Sequence, residues 1–281
     1  MSRQPRGNQP VNRAVLRLQD SDLEGPVAFL GGPYSNHLAL RAAASDARRR
    51  GARFIFCLGD LGGFGPNPGK IFPILDEYRI ITIAGNYDEA LASRQPDCGC
   101  GYTHPSDNFF AQLSYEYTSR RTTDAERVLL GRLPRAIRFA RRKRRILLCH
   151  GSPRKTNEFL WDSACSDAFL MRLLREAEAE TVLCAHTGIY WQRALPDGGL
   201  LVNAGAVGRP ANDGRPEVWY ALLDAGRDEA ELIPVRYDSE SLAREMEEEA
   251  LPPEFVETIR TGWWTTCLEI LPAKERATGR F

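Results

Sequence analysis

Imidazole is scarce in this chain, with four histidines and three methionines among 281 residues. No apolar run approaches the ~20 residues that a bilayer-spanning helix needs, and the start lacks a basic-then-apolar leader. A surplus of either charge is also missing. The 37 basic and 37 acidic side chains cancel, so nothing in the balance asks for nucleic acid or an anionic membrane as a partner. Internal repeats and low-complexity tracts are absent as well. These absences lead us to expect a cytoplasmic protein that binds neither nucleic acid nor membrane. The seven cysteines are odd in number and scattered, which excludes the disulfide framework of a small secreted domain. Cys57, Cys149 and Cys184 lie inside apolar runs and read as small buried hydrophobes, and Cys98-Gly99-Cys100 reads as a tight turn carrying reduced thiols.

What is present is a repeated event. The run Phe56-Cys57-Leu58-Gly59-Asp60 is β-like, apolar and buried, and it stops on a carboxylate. Ile80-Ile81-Thr82-Ile83-Ala84 runs into Gly85-Asn86-Tyr87-Asp88. Ile146-Leu147-Leu148-Cys149 runs into His150-Gly151-Ser152-Pro153, and Thr181-Val182-Leu183-Cys184-Ala185 into His186-Thr187-Gly188. Each run ends on a residue able to hold a metal, and α/β proteins bind ligands in the crevice at the carboxyl ends of their strands. Asp60, Asn86, His150 and His186 are therefore the candidate metal ligands. A mixed nitrogen and oxygen set suits zinc or another transition metal.

Residues 1–24 read as a loosely held lead-in and residues 25–237 as the main domain. Residues 238–281 read as a helical, acidic extension in which Trp263-Trp264 docks on the domain surface or on a partner subunit, a route to a homo-oligomer. After a first strand at Val27-Ala28-Phe29-Leu30, Ser35 is placed to cap a helix ending at Arg48-Arg49-Arg50-Gly51. Successive β-α units imply a parallel sheet with right-handed crossovers. The aromatics Phe109, Phe110 and Tyr117 recur at helical spacing and read as core. Arg141-Arg142-Lys143-Arg144 reads as the solvated tip of a hairpin. The closely spaced strands after His186 suggest that the second half turns antiparallel and that two sheets pack face to face.

The order of these motifs, closed by Val202-Asn203-Ala204-Gly205-Ala206-Val207-Gly208-Arg209-Pro210, resembles the calcineurin-like metallophosphoesterases. The similarity is strongest to the compact bacterial branch of small phosphodiesterases and diadenosine-tetraphosphatase-like phosphatases, and it covers about residues 25–237. The resemblance implies an α/β fold, a four-layer α/β/β/α sandwich of two mixed sheets, and a metal-dependent phosphoesterase acting on a small or nucleotide-like phosphorylated substrate. Such enzymes usually carry two metals. Here the first motif reads Gly32-Pro33-Tyr34 where the family has Asp-x-His, and Gly188 replaces the second histidine of Gly-His-x-His. All three lost groups belong to one metal position in the family. Asp60, Asn86, His150 and His186 form the ligand set of the other.

The expectation is thus a mononuclear site for one divalent transition metal, Mn, Fe or Zn. A catalytically silent binding or regulatory protein is the alternative, as is a second metal held by other groups. Asp88 and Tyr87 match the Asp and His of the family's Gly-Asn-His-Asp motif and are the catalytic candidates, Asp88 orienting the proton donor. Arg154, Asn157 and Tyr34 are the candidate substrate contacts. Asn203 and Arg209 are read as support for the lip of the pocket.

Overall fold

The computed structural model describes residues 15–18, 25–223 and 230–277. Its first part contains β1 (Val15–Arg17), β2 (Val27–Leu30), α1 (His37–Arg49), β3 (Phe54–Cys57), α2 (Ile71–Tyr78), β4 (Ile81–Thr82), α3 (Asn86–Ser93), α4 (Pro105–Arg121) and α5 (Asp124–Arg132). There follow β5 (Ala136–Arg141), β6 (Arg144–Leu148), α6 (Asp167–Glu176), β7 (Thr181–Cys184), β8 (Tyr190–Ala194), β9 (Leu200–Ala204), β10 (Val218–Leu223), β11 (Glu231–Val235), α7 (Ser239–Glu248), α8 (Pro253–Thr261) and α9 (Ala273–Ala277).

Strand alternation explains the layering. In β2 and β3, Phe29, Val27 and Phe56 face one way and Ala28, Leu30, Ile55 and Cys57 the other, since successive side chains leave opposite faces of a strand. The first set meets Ile137, Phe139, Ile146, Leu148 and Val202 of the opposing sheet. Phe29 stacks on Phe56 at 5.7 Å and Phe56 on Phe139 at 5.8 Å, which ties the two sheets at their centre. Burying each phenyl contributes roughly 1.5–3 kcal/mol. The second set packs under α1 and α2. On the far sheet, Leu147, Val182, Cys184 and Leu201 pack under Leu170, Leu173 and Leu174 of α6. Cys57, Cys149 and Cys184 are free and buried in these outer layers.

The two sheets are mixed, with strand orders β1-β5-β6-β7-β9-β8 and β11-β10-β2-β3-β4. The second half of the chain is less antiparallel than its spacing suggests. β6, β7 and β9 run parallel, and antiparallel pairing is confined to β5–β6, β8–β9, β10–β11 and the β10–β2 contact. β10 and β11 return to the first sheet, so neither sheet is built from one half of the sequence.

Four local expectations change. The helix cap is Asn36, whose side chain accepts the Ala39 N–H, and not Ser35. The expected strand at residues 80–84 pairs only over Ile81–Thr82, at the edge of its sheet. Cys98 and Cys100 are joined in a disulfide, so the expected reduced thiols are not what the fold contains. Phe109 is exposed on α4 while Phe110 packs with Phe255. Part of the lead-in, β1, pairs parallel with β5; the rest of residues 1–24 lies outside the described residues. Among the described residues no helix is long and apolar enough to cross a membrane.

Candidate metal centre

Asp60 stands just past the end of β3, and both it and Gly59 have left-handed backbones (φ 56° and 89°). The turn brings the loop against the start of α3: a Cβ at Gly59 would lie 2.3 Å from the Gly85 nitrogen, and one at Gly85 2.1 Å from Asp60 Oδ1. Glycine at both positions is what allows the two backbones to touch. Asp60 Oδ1 then accepts the Tyr87 N–H at 3.0 Å. His186, past the end of β7, is also left-handed (φ 39°), a costly conformation for an imidazole-bearing residue that tends to be retained where a site needs it.

These turns bring Asp60, His150 and His186 together, with their ligand atoms all within 4.8 Å of one another and all three residues buried. His150 Nε2 lies 3.1 Å from Asp60 Oδ2 and 3.1 Å from His186 Nδ1. On its other side, His150 Nδ1–H donates to the Leu58 carbonyl at 2.6 Å. That bond fixes the ring and presents Nε2 to the cluster, as second partners of metal-ligating histidines do. Asn203 holds the His186 loop by donating to the Ala185 carbonyl and to Thr187 Oγ1, each at 2.8 Å.

Asn86 is not at a strand end. It is the first residue of α3, with Gly85 as cap. Its Nδ2 donates to the Cys98 carbonyl (2.9 Å) and to Cys100 Sγ (3.4 Å). That arrangement leaves Asn86 Oδ1 buried without a partner, and His186 Nε2 is likewise unpartnered. A carboxylate and two imidazoles this close fit a divalent cation, and Asn86 Oδ1 is a buried acceptor still left unmatched, at the full cost of its desolvation.

The electrostatics agree. Burial pulls His150 down, but the Asp60 carboxylate pushes harder and its pKa is raised. Burial resists the charge on Asp60, yet His150 holds its carboxyl below the usual range. His186, buried beside a charged His150, falls to about 3. One positive charge is therefore wanted next to Asp60, and two imidazolium ions are refused.

Asp88 directs most of its acceptor capacity to the backbone. Its carboxylate accepts the N–H groups of Asp60 (2.8 Å), Leu61 (3.0 Å) and Gly85 (2.8 Å), clamping the β3 loop to the start of α3. Burial and the neighbouring Asp60 charge push it up to about 7. Tyr87 donates its hydroxyl to Ser114 at 2.9 Å, and burial first, then Asp60, raises its pKa. Tyr34 packs its ring over Gly32, where a Cβ would meet Cε1 at 2.5 Å. The phenol thus occupies the room that a side chain at residue 32 would need.

A cavity of about 80 Å³ adjoins the cluster, lined among others by Tyr34, Asp60, Tyr87, His186, Arg209 and Trp264. Arg154 and Asn157 are not brought to it. Arg154 pairs with Glu158 and lies over Phe169, and Asn157 donates to the Gly99 carbonyl at 2.7 Å. Sequence reasoning missed the contribution of the C-terminal extension. Trp264 is buried, donates its indole N–H to the Pro210 carbonyl at 2.6 Å, and comes within 3.4 Å of where a Gly188 Cβ would stand. The Trp263-Trp264 pair was expected to dock, and Trp264 does so inside its own chain. A larger hollow of about 810 Å³ lies by the hairpin tip Arg142-Lys143, lined by both signs of charge and far from these groups in the fold.

The calcineurin-like phosphoesterase superfamily domain model matches residues 35–228. The chain belongs to that superfamily. Its similarity to the uncharacterized protein MJ0912 of Methanocaldococcus jannaschii is 24% identity over 240 residues, covering 80% of this chain and 93% of the relative. The crystal structure of a metallophosphoesterase from Sphaerobacter thermophilus superposes with a TM-score of 0.66 at 22% identity, over 85% of this chain and 99% of that one. The hypothetical protein PH1004 from Pyrococcus horikoshii gives 0.71 at 21% identity with the same coverage. The calcineurin-like phosphoesterase fold, two mixed sheets between helices, is therefore established for this chain, and its candidate metal cluster lies in Asp60, His150 and His186.

Proposed function

We propose that the chain is a metal-dependent phosphoesterase working through a mononuclear site held by Asp60, Asn86, His150 and His186. The observation that carries this reading is the pairing of a buried carboxylate and two buried imidazoles with a neighbouring position occupied by packed rings. Asp60, His150 and His186 converge within 4.8 Å, whereas the Tyr34 ring fills the space at Gly32 and Trp264 packs beside Gly188. A divalent cation there supplies Lewis-acid polarisation of a phosphoryl group and acidifies a water.

The protein's own part is positioning. His150 is held by Leu58, Asp60 by the Tyr87 amide, and the Asp60 loop by Asp88. Tyr87 keeps its proton, because burial moves it further from neutrality, and it acts as a fixed hydroxyl dipole at the pocket wall instead of as an acid. Asp88 is a positioning residue that orients Asp60. The roughly 80 Å³ cavity suits the phosphoryl end of a small ester, since pockets for whole drug-sized ligands run to about 300 Å³ or more.

The alternative is a catalytically silent relative that binds a phosphorylated ligand. It draws support from the aromatic closure of the site by Trp264. Elemental analysis together with hydrolysis of a panel of phosphomonoesters and phosphodiesters separates the two. The enzyme reading requires about one ion per chain and hydrolysis that disappears in His150→Ala. Metal-loaded protein that hydrolyses nothing in the panel contradicts it.

A further inference from the structure

Among the described residues Arg209 is a buried cation without a carboxylate counter-ion, and it is only 7% exposed. Its guanidinium lies 3.8 Å from the centroid of the Trp264 ring and 4.9 Å from that of Phe64. Nη2 donates to the Thr266 carbonyl at 2.9 Å and to Thr266 Oγ1 at 3.3 Å, while Nε has no hydrogen-bond partner. The ionisable groups that bear on it are Cys267, Tyr102 and Tyr34, and burial raises the pKa of each, so all three stay neutral.

Burying a charge is expensive unless it is paired and hydrogen-bonded. Aromatic faces offset part of that cost through the ring quadrupole but do not satisfy an N–H donor. An arginine held on an aromatic platform, with its buried Nε–H unpartnered and a wall of the Asp60 and His186 cavity as its place, is a group arranged for an anion. Its location narrows the choice. The guanidinium rests on Trp264, the residue that closes over Gly188, and acts on Tyr34, so it sits on the side of the pocket where the resemblance places the lost metal ligands.

We propose that Arg209 is the oxyanion-binding cation of this pocket. Its Nε–H grips a non-bridging oxygen of a tetrahedral phosphoryl group, and its fixed charge stands in for that of a second metal ion. The proposal rests on the phosphoesterase reading for the identity of the anion, but not for the existence of the site. The class of ligand is an oxyanion head of phosphate size, with any organic part directed out of the cavity. A planar guanidinium suits such a head because its donors match the spacing of two oxygens. The closed C-terminal extension then has a function: Trp264 and Thr266 hold the arginine in place.

The test uses full-length 15N-labelled protein, first as purified and then loaded with zinc, titrated with inorganic phosphate. The Arg209 Nε–H resonance is identified by its proximity to the Trp264 ring protons. Binding is expected to shift that resonance in saturable fashion, and Arg209→Lys is expected to weaken phosphate binding at least tenfold. Lysine keeps the charge over the indole but has no Nε fork. Phosphate that binds without moving the Nε–H signal overturns the proposal, and so does unchanged affinity in Arg209→Lys or the absence of phosphate binding in both preparations. Should Arg209→Lys not fold, the wild-type titration alone decides. A protein that binds phosphate through Arg209 but hydrolyses no ester keeps this site and loses the enzyme reading.

Discussion

The corner of the cavity that holds Asp60, His150 and His186 and the corner that holds Tyr34 and Gly188 belong to one pocket and are built in opposite ways. The first keeps polar atoms that need a partner: an imidazole aimed by a backbone carbonyl, an orphaned amide oxygen on Asn86, and a carboxylate facing His150 at 3.1 Å. The second has been filled. The Tyr34 ring takes the room over Gly32, and Trp264 takes the room beside Gly188. Residues that had merely drifted would leave a void or a clash, each costing stability. Here a packed ring stands beside each of Gly32 and Gly188, which is the packing that the proposed single-cation site requires.

The largest effect expected from breaking this contrast is on the first corner. His150→Ala should abolish metal retention and lower any ester hydrolysis by on the order of 10³-fold or more, because the cation supplies several kcal/mol to the reaction. Elemental analysis and turnover measured side by side check it, and metal retained at wild-type level counts against the ligand assignment. Next comes the second corner. Trp264→Ala removes a buried indole that closes over Gly188 and Arg209, and should destabilise the fold by about 3–5 kcal/mol in denaturant titration. A loss below about 1 kcal/mol would show that the extension is a loose lid.

A smaller effect is expected one layer out. Asp88→Asn removes the charge that accepts three backbone N–H groups and should weaken metal binding by roughly 10–100-fold. Unchanged affinity would mean that the clamp does not position Asp60. Gly32→Asp tests the filled corner from the opposite direction. The added side chain meets the Tyr34 ring, so the variant should lose about 1–3 kcal/mol and gain no second ion. Gain of a metal with stability intact would show that the corner is still open.

The smallest effect is a pH dependence confined to the first corner. His150 must release its Nε2 proton before that atom can ligate, and its pKa is raised above the ordinary 6.5. Metal affinity should therefore fall by about tenfold per pH unit as pH drops below that raised value, and level off above it. His186, already neutral down to about 3, adds no slope in this range, whereas Asp88, pushed up to about 7, adds a second and shallower one as its clamp on Asp60 gains charge. Calorimetric metal titrations between pH 6 and pH 9 measure it, and a flat profile excludes His150 as a ligand that competes with protons.

Much of the first corner is legible in the sequence because its signals are local. An apolar run, a turn glycine and a ligating residue lie within a few positions of each other at Asp60, His150 and His186, and the sheet aligns such ends without further instruction. Asn86 reads as a strand end, whereas it opens a helix, since the edge strand before it pairs over only two residues. The filled corner is not legible. Trp264 meets Gly188 across 76 positions, and nothing near either residue announces the contact. Arg154 and Asn157 carry suitable chemistry, but Glu158 and the Gly99 carbonyl take it up. Likewise the return of β10 to the first sheet, and the disulfide that shapes the turn beside Asn86, are settled by tertiary packing.

The most direct test is metal stoichiometry resolved by position: anomalous scattering from crystals grown with excess manganese or zinc. One peak among Asp60, Asn86, His150 and His186, with Tyr34 and Trp264 in place beside it, is the result expected. Two peaks, or full occupancy of the Tyr34 and Gly188 corner, would contradict the account.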